Sequence, residues 1–454
     1  MMKHAKILFN PENAEWKDFV KKSSGDFATL FIDKKLHIIV KEVSKKKQKL
    51  DKVRMIAGSI ARELMKREIE TAEVDGKELK TTFSELNGDK TVIAFTEGWY
   101  LGSYVFDNYK TKKSAPATSL QITGVIQSLF ETGKTRAEAT SFSRDLMNEL
   151  SSKLNPETFP KILQEEFANS DVDVVVHNKA KLEEMEMNGL LAVNRGSKYD
   201  PAFIELHYEG DASKPLIALV GKGVTFDTGG ISLKNARDLS DMRMDMGGAA
   251  AVAGAVKLLA TSNANVNVVG LIQTVENIPD RHSILPGEII TYKTGQTVQV
   301  GNTDAEGRLI LADGLIRAGE LDADYVVDIA TLTGAILRAL GPKIGGVFGD
   351  EDLMYEIKNI GDENGDFVWP MPLIDDYDKT LKSDYADFSN ISTQGSAGAI
   401  TAALFLRRFV PENCKWLHVD MAGVMDSKQG GYYGNSSTGY GARLLADYAV
   451  HVSK

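Results

Sequence analysis

From residue 171 onward the chain alternates short, almost wholly apolar runs with longer stretches whose apolar residues recur at helical spacing. The runs at 172–177, 203–208, 215–220, 266–273, 324–330 and 416–421 predict strands, and the stretches 241–260, 308–319 and 398–409 predict helices. Strands that are apolar at consecutive positions are covered on both faces, so a mostly parallel or mixed sheet is expected. In the first part of the chain, β-branched runs at 28–43 and 90–96 predict strands, while 50–69 and 115–131 predict helices. Residues 137–170 are polar and helical, with breaks at Pro156 and Pro160. The chain is therefore expected to be α/β with two domains. A smaller N-terminal α/β domain spans 1–150, a helical linker 151–172, and a C-terminal domain 173–454, built on a mixed sheet covered by helices on both faces.

Composition bears on partners more than on fold. Hydrophobic residues make up 43% and charged residues 26% of the 454 positions, ordinary for large globular domains. A formal charge of -10 disfavours nucleic acid or an anionic membrane as the main partner. The lysine block of Lys45, Lys46, Lys47, Lys49 and Lys52 reads as a solvated helix face. A single cysteine, Cys414, cannot form an intramolecular disulfide and fits a reducing compartment. The N-terminus has no signal-peptide core, and no run reaches the roughly 18 apolar residues of a membrane span. A cytoplasmic protein without a membrane partner is expected.

The candidate chemistry lies in two segments. Asn302-Thr303-Asp304-Ala305-Glu306-Gly307-Arg308 carries two carboxylates and a guanidinium at i, i+2 and i+4, which an extended backbone would project to one side. Two acids with no lysine between them repel unless a cation sits there. Upstream, the apolar run 215–220 leads into a glycine-rich loop carrying Lys222, Asp227 and Lys234, and the stretch 241–250 delivers Asp245 at the start of a buried helix. Asp227, Asp245, Asp304 and Glu306 offer hard oxygen donors, enough for two divalent cations if some of them bridge. Lys222, Asp227 and Thr331 all follow strand candidates, where ligands of α/β sheets gather. None of the seven histidines falls in either segment, and HExxH is absent. His418 reads as a core histidine, and Cys414 has no adjacent base. The glycines at 223, 229 and 230 match no phosphate-loop pattern.

Together these segments resemble the leucyl aminopeptidase (cytosol aminopeptidase) family, whose signatures NTDAEGR and KGxTFD-[ST]-GG both stand here in full. The stretches Val326–Ala335 and His418–Gly423 also fit, and the resemblance is good over about 140–445 and weak over the first 90 residues. It implies an enzyme releasing N-terminal residues, leucine and other apolar ones, from short peptides with a free N-terminus. It also implies a two-metal catalytic centre, with Asp227 and Glu306 bridging, Asp304 on one ion, and Lys222 and Asp245 on the other. Mn or Zn would fill it, with Mg or Co also suited. By the same resemblance, Lys234 stabilises the oxyanion and Arg308 holds a bicarbonate that acts as general base. Met242, Thr331, Leu332 and Gly334 line the first side-chain pocket, and a homohexamer is implied. Some members of the family bind DNA or assist recombination, an alternative that the acidic total disfavours. Gly301 stands where the family usually has a larger residue.

Overall fold

Strand Leu216–Asp227 is buried along almost its whole length, as its uninterrupted apolar start requires, and it sits near the middle of an eight-stranded sheet. The coordinates are a computed structural model describing residues 3–9, 13–32, 35–235 and 238–454. The sheet runs in the order Val368–Pro370, Gly345–Gly349, Lys415–Asp420, Tyr325–Ala330, Leu216–Asp227, Asn267–Asn277, Ala202–Glu209, Val172–His177. Its four central strands are mutually parallel, and the outer pairings include antiparallel ones, so the sheet is mixed.

Successive residues of a strand face opposite sides, and two neighbours in Leu216–Asp227 show what covers each side. A Cβ on Gly221 would lie 2.8 Å from Ala249 Cα, in the helix Gly247–Thr261. Val220 Cγ1 would lie 2.6 Å from a Cβ on Gly314, in the helix Gly307–Glu320. One helix therefore packs on each face. Both are rich in alanine, glycine or leucine where they meet the sheet, so their backbones approach it closely.

The chain forms two compact units. One comprises Met1–Ser141, Glu363–Gly365 and Ser427–Ser436; the other comprises Phe142–Asp362, Asp366–Asp426 and Ser437–Lys454. The chain passes between them within the helix Gln127–Asn148, and residues 151–172 belong to the second unit, where they include the helix Phe159–Phe167. The first unit has a five-stranded sheet in the order Phe27–Ile32, Lys35–Val40, His4–Leu8, Thr71–Asp75, Ser119–Thr123, parallel except for its first pair. Among the described residues, no helix is long and apolar enough to cross a membrane.

Two expectations for this unit fail. The run 90–96, expected as a strand, lies in the helix Gly88–Ser103, started by the Asn87 side chain accepting from the Asp89 and Lys90 amides. Its residues are buried nearly all round, which erased the helical period from the sequence. The stretch 115–131, expected as a helix, instead gives the strand Ser119–Thr123; helix begins only at Gln127, after a turn in which Gly124 adopts φ +69°.

Gly221→Ala should lower the unfolding free energy by about 1–3 kcal/mol, because the added methyl meets helix backbone that cannot rotate away. The urea midpoint measures this, and an unchanged midpoint would show that the helix yields freely.

Candidate metal centre

Lys222 and Asp227 are five residues apart, which in a regular strand places them on opposite faces. The strand carries one extra residue: Val224 pairs with Val275 and Phe226 with Glu276, leaving Thr225 unpaired in the ladder. This bulge restores the parity, so that both side chains reach one site. The expected glycine-rich loop is thus still strand as far as Asp227, and the turn begins at Thr228. Gly229 and Gly230, at φ +92° and +62°, then reverse the chain, and the Gly229 amide donates to Asp227 Oδ1 at 2.8 Å. Lys234 returns along this turn to place its Nζ 2.6 Å from Asp227 Oδ2 and 2.6 Å from Asp304 Oδ1.

The segment 302–308 is not the extended backbone that the i, i+2, i+4 reading supposed but a turn that enters the helix at Gly307. Asn302 Oδ1 accepts the Asp304 amide at 2.8 Å and closes the turn. Glu306 stands immediately before the helix, where the dipole favours a carboxylate. A Cβ on Gly307 would sit 2.7 Å from Lys222 Cε, so glycine here makes room for the lysine stem. A Cβ on Gly301 would meet Ile391 Cγ1 at 2.8 Å, which accounts for the small residue at that position.

Asp245 follows the short 3₁₀ turn Ser240–Met244 and receives the Thr331 hydroxyl at 2.6 Å. Lys222 Nζ lies 2.8 Å from Asp245 Oδ2, 2.9 Å from Glu306 Oε1 and 2.9 Å from the Thr331 carbonyl. Donor atoms of Asp227, Asp245 and Glu306 all lie within 4.8 Å of one another. Burial first, and then the charge of Asp227, push the Glu306 carboxyl up to about 8. Burial likewise raises Asp245, to about 6, and Asp304. Burial acts in the opposite sense on Lys222 and Lys234, but the surrounding carboxylates outweigh it and keep both as ammoniums. Four acids thus face two lysines, and the acids are the side left short of opposite charge. Glu306 Oε2 is buried with no partner, and Asp245 Oδ2 and Asp304 Oδ1 face an ammonium without a well-directed hydrogen bond. A divalent cation fits such a donor set: hard oxygens, close together, with free lone pairs.

Arg308 is buried in the first turn of the helix and spends one donor, Nη1, on the Asn390 carbonyl at 2.7 Å; its Nε has no partner. Burial lowers its guanidinium to about 10. Thr331 joins the cluster, Leu332 and Gly334 continue the same segment, and Met242 gives its carbonyl to the Asp245 amide at 3.3 Å. His418 is a core residue, its Nδ1 2.5 Å from Asp328, and Cys414 lies away from the cluster with its thiol donating to the Pro411 carbonyl.

Four residues with no assigned part in the sequence reading hold this arrangement. Asn277 Nδ2 donates to Asp227 Oδ1 and to the Thr303 carbonyl, and Thr303 Oγ1 donates to the Gly229 carbonyl. Asp420 accepts the amides of Leu332 and Thr333 and the Thr333 hydroxyl. Asn390 holds the turn 301–305. Only Thr303 and Asp420 lie in stretches that stood out; a lone asparagine gives no periodic or motif signal.

Beyond the ends of its parallel strands the sheet thus gathers carboxylates and lysines into a donor set that could hold a metal ion. The catalytic-domain model of the cytosol aminopeptidase family matches residues 141–446, and the family's N-terminal-domain model matches 44–113. A probable cytosol aminopeptidase of Chlorobium phaeobacteroides is 39% identical over 455 residues, covering 95% of this chain and 90% of its own. That of Persephonella marina is 37% identical over 423 residues, covering 91% and 85%. Among solved structures, the bottromycin maturation enzyme BotP in complex with Mn is similar, with a TM-score of 0.91 at 30% identity over 99% of each chain. The chain belongs to the cytosol aminopeptidase family and is a metal-dependent aminopeptidase.

Burial, and then Asp350, push the Cys414 thiol up to about 11. Iodoacetamide at pH 8 should therefore label Cys414 slowly in the native protein and rapidly in urea, the native rate climbing about tenfold per pH unit. Rapid native labelling at pH 8 would contradict this placement.

Proposed function

We propose that the chain removes the first residue, leucine or another apolar one, from short peptides with a free N-terminus at a centre of two divalent cations. The observation that carries this reading is the buried group of Asp227, Asp245 and Glu306, with Glu306 Oε2 unpartnered. These three, with Asp304 and Lys222, would hold the ions, Asp227 and Glu306 bridging and Lys222 serving as the neutral amine, its proton displaced by the neighbouring dications. Hard oxygens plus one amine suit Mn or Zn, and also Mg or Co. Such a pair, when bound, lowers the pKa of a shared water toward neutrality and gives the substrate's α-amine a ligand position.

Lys234 is kept as an ammonium by Asp227, Glu306 and Asp245 against its burial, and it would stabilise the oxyanion of the attacked carbonyl. None of the carboxylates is free to serve as a base while it holds an ion. Arg308, a buried guanidinium with unused donors, would instead hold a bicarbonate that takes the proton. Thr331, Leu332, Gly334 and Met242 would line the pocket for the first side chain, Thr331 being held by Asp245. A cytoplasmic homohexamer with interior sites would restrict access to short peptides; light scattering should then give six chain masses. The nucleic-acid alternative gains no support: the basic block spends Lys45 on Glu85 and Lys52 on Asp26.

Glu306→Ala should lose bound metal and turnover together, since it removes a bridging donor. Lys234→Ala should keep its metal while kcat on leucine amide falls by about 10²–10³. Metal analysis beside a panel of aminoacyl amides tests both, and full metal content with normal turnover in Glu306→Ala would sink the reading.

A further inference from the structure

The turn that presents Asp304 and Glu306 has few bonds of its own; Asn277, Gly229 and Ser232 hold Thr303, and a residue 84 positions beyond Glu306 holds 301, 302 and 305. Asn390 follows the two-residue strand Phe388–Ser389, and its amide donates to the Gln299 carbonyl at 3.0 Å, which fixes its main chain beside the strand Thr297–Gln299. Its side chain is completely buried and bonds to main chain on both sides of Asp304. Oδ1 accepts the Gly301 amide at 2.7 Å and the Asn302 amide at 3.3 Å. Nδ2 donates to the Asn302 carbonyl at 2.7 Å and to the Ala305 carbonyl at 3.2 Å. Its own carbonyl takes Arg308 Nη1 at 2.7 Å.

These bonds have a common direction. The carboxamide clamps residues 301, 302 and 305 and so fixes where the chain leaves for Glu306; the main-chain carbonyl of the same residue orients Arg308 two positions later. One rigid group therefore sets the angle between the acids and the guanidinium. Asparagine alone suits this part: the site needs an acceptor and a two-proton donor in one short plane, and an added charge beside Glu306 would be repelled. We propose that Asn390 is a positioning residue of the reaction, holding Asp304, Glu306 and Arg308 in register around one centre. The inference rests on the two-metal reading of that centre.

Asn390→Asp keeps the shape and Oδ1 but turns Nδ2 into an acceptor facing two carbonyls. Asn390→Ser, uncharged and smaller, serves as the second variant should the aspartate disturb folding. Calorimetric titration of the metal-free chain with Mn²⁺ alone should show affinity weakened by about 10–100-fold, the usual scale for residues that orient metal ligands. On leucine amide, kcat should fall by a similar factor with KM little changed. A residue that only stabilised the turn would lower the melting temperature and leave Mn²⁺ affinity and kcat of the folded protein at wild-type values, which would overturn the proposal. Wild-type protein that bound none of Mn²⁺, Zn²⁺, Mg²⁺ or Co²⁺ would overturn the metal centre, and this proposal with it; wild type and variant binding equally would overturn the positioning alone.

Discussion

Acids gathered in a dry protein interior repel one another and lose their hydration together, so their placement is tolerated only if positive charge is set among them. At the end of the central sheet this requirement organises everything nearby. Lys222 lies between Asp245 and Glu306, and Lys234 lies between Asp227 and Asp304. The two lysines offset part of the repulsion, and burial still holds the carboxyls of Glu306, Asp245 and Asp304 above their usual range. The neutral donors Asn277, Thr331 and Asn390 then fix geometry without adding to the repulsion.

The fold supplies a place where such tension is affordable. Helices Gly247–Thr261 and Gly307–Glu320 press on opposite faces of the strand Leu216–Asp227, and much of the sheet beneath is apolar and fully buried. The charged group is thus mounted on a buried, closely packed part of the molecule. Precision follows from this: side chains on packed strands and helix starts have little freedom to drift, whereas the same residues on an exposed loop would relax apart.

Much of this was legible in the sequence. The apolar runs of the second half located the strands because a sheet covered on both faces leaves an uninterrupted signal, and the charged residues at 222, 227, 245, 304 and 306 stood out against it. The run 90–96 misled for the related reason that a helix buried all round also lacks a period. The geometry at 302–308 was misjudged because alternation in sequence suggested a strand, while the Asn302 side chain and the Gly307 helix start gather the same residues by another route. Asn390 was invisible: its importance lies in main-chain groups of a turn distant in sequence, and main chain carries no letter.

The unpaired residue at Thr225 also bears on how inactive relatives of this chain can be recognised. Its hydroxyl donates to the Val275 carbonyl at 3.2 Å, and its presence decides whether an odd or an even number of residues separates Lys222 from Asp227. A relative lacking one residue here would keep every charged letter of the motif and still send one of the two to the wrong side of the sheet. Such a chain would pass any test that counts ligands and fail as an enzyme, so the spacing between these two residues is as much a part of the active site as the residues themselves.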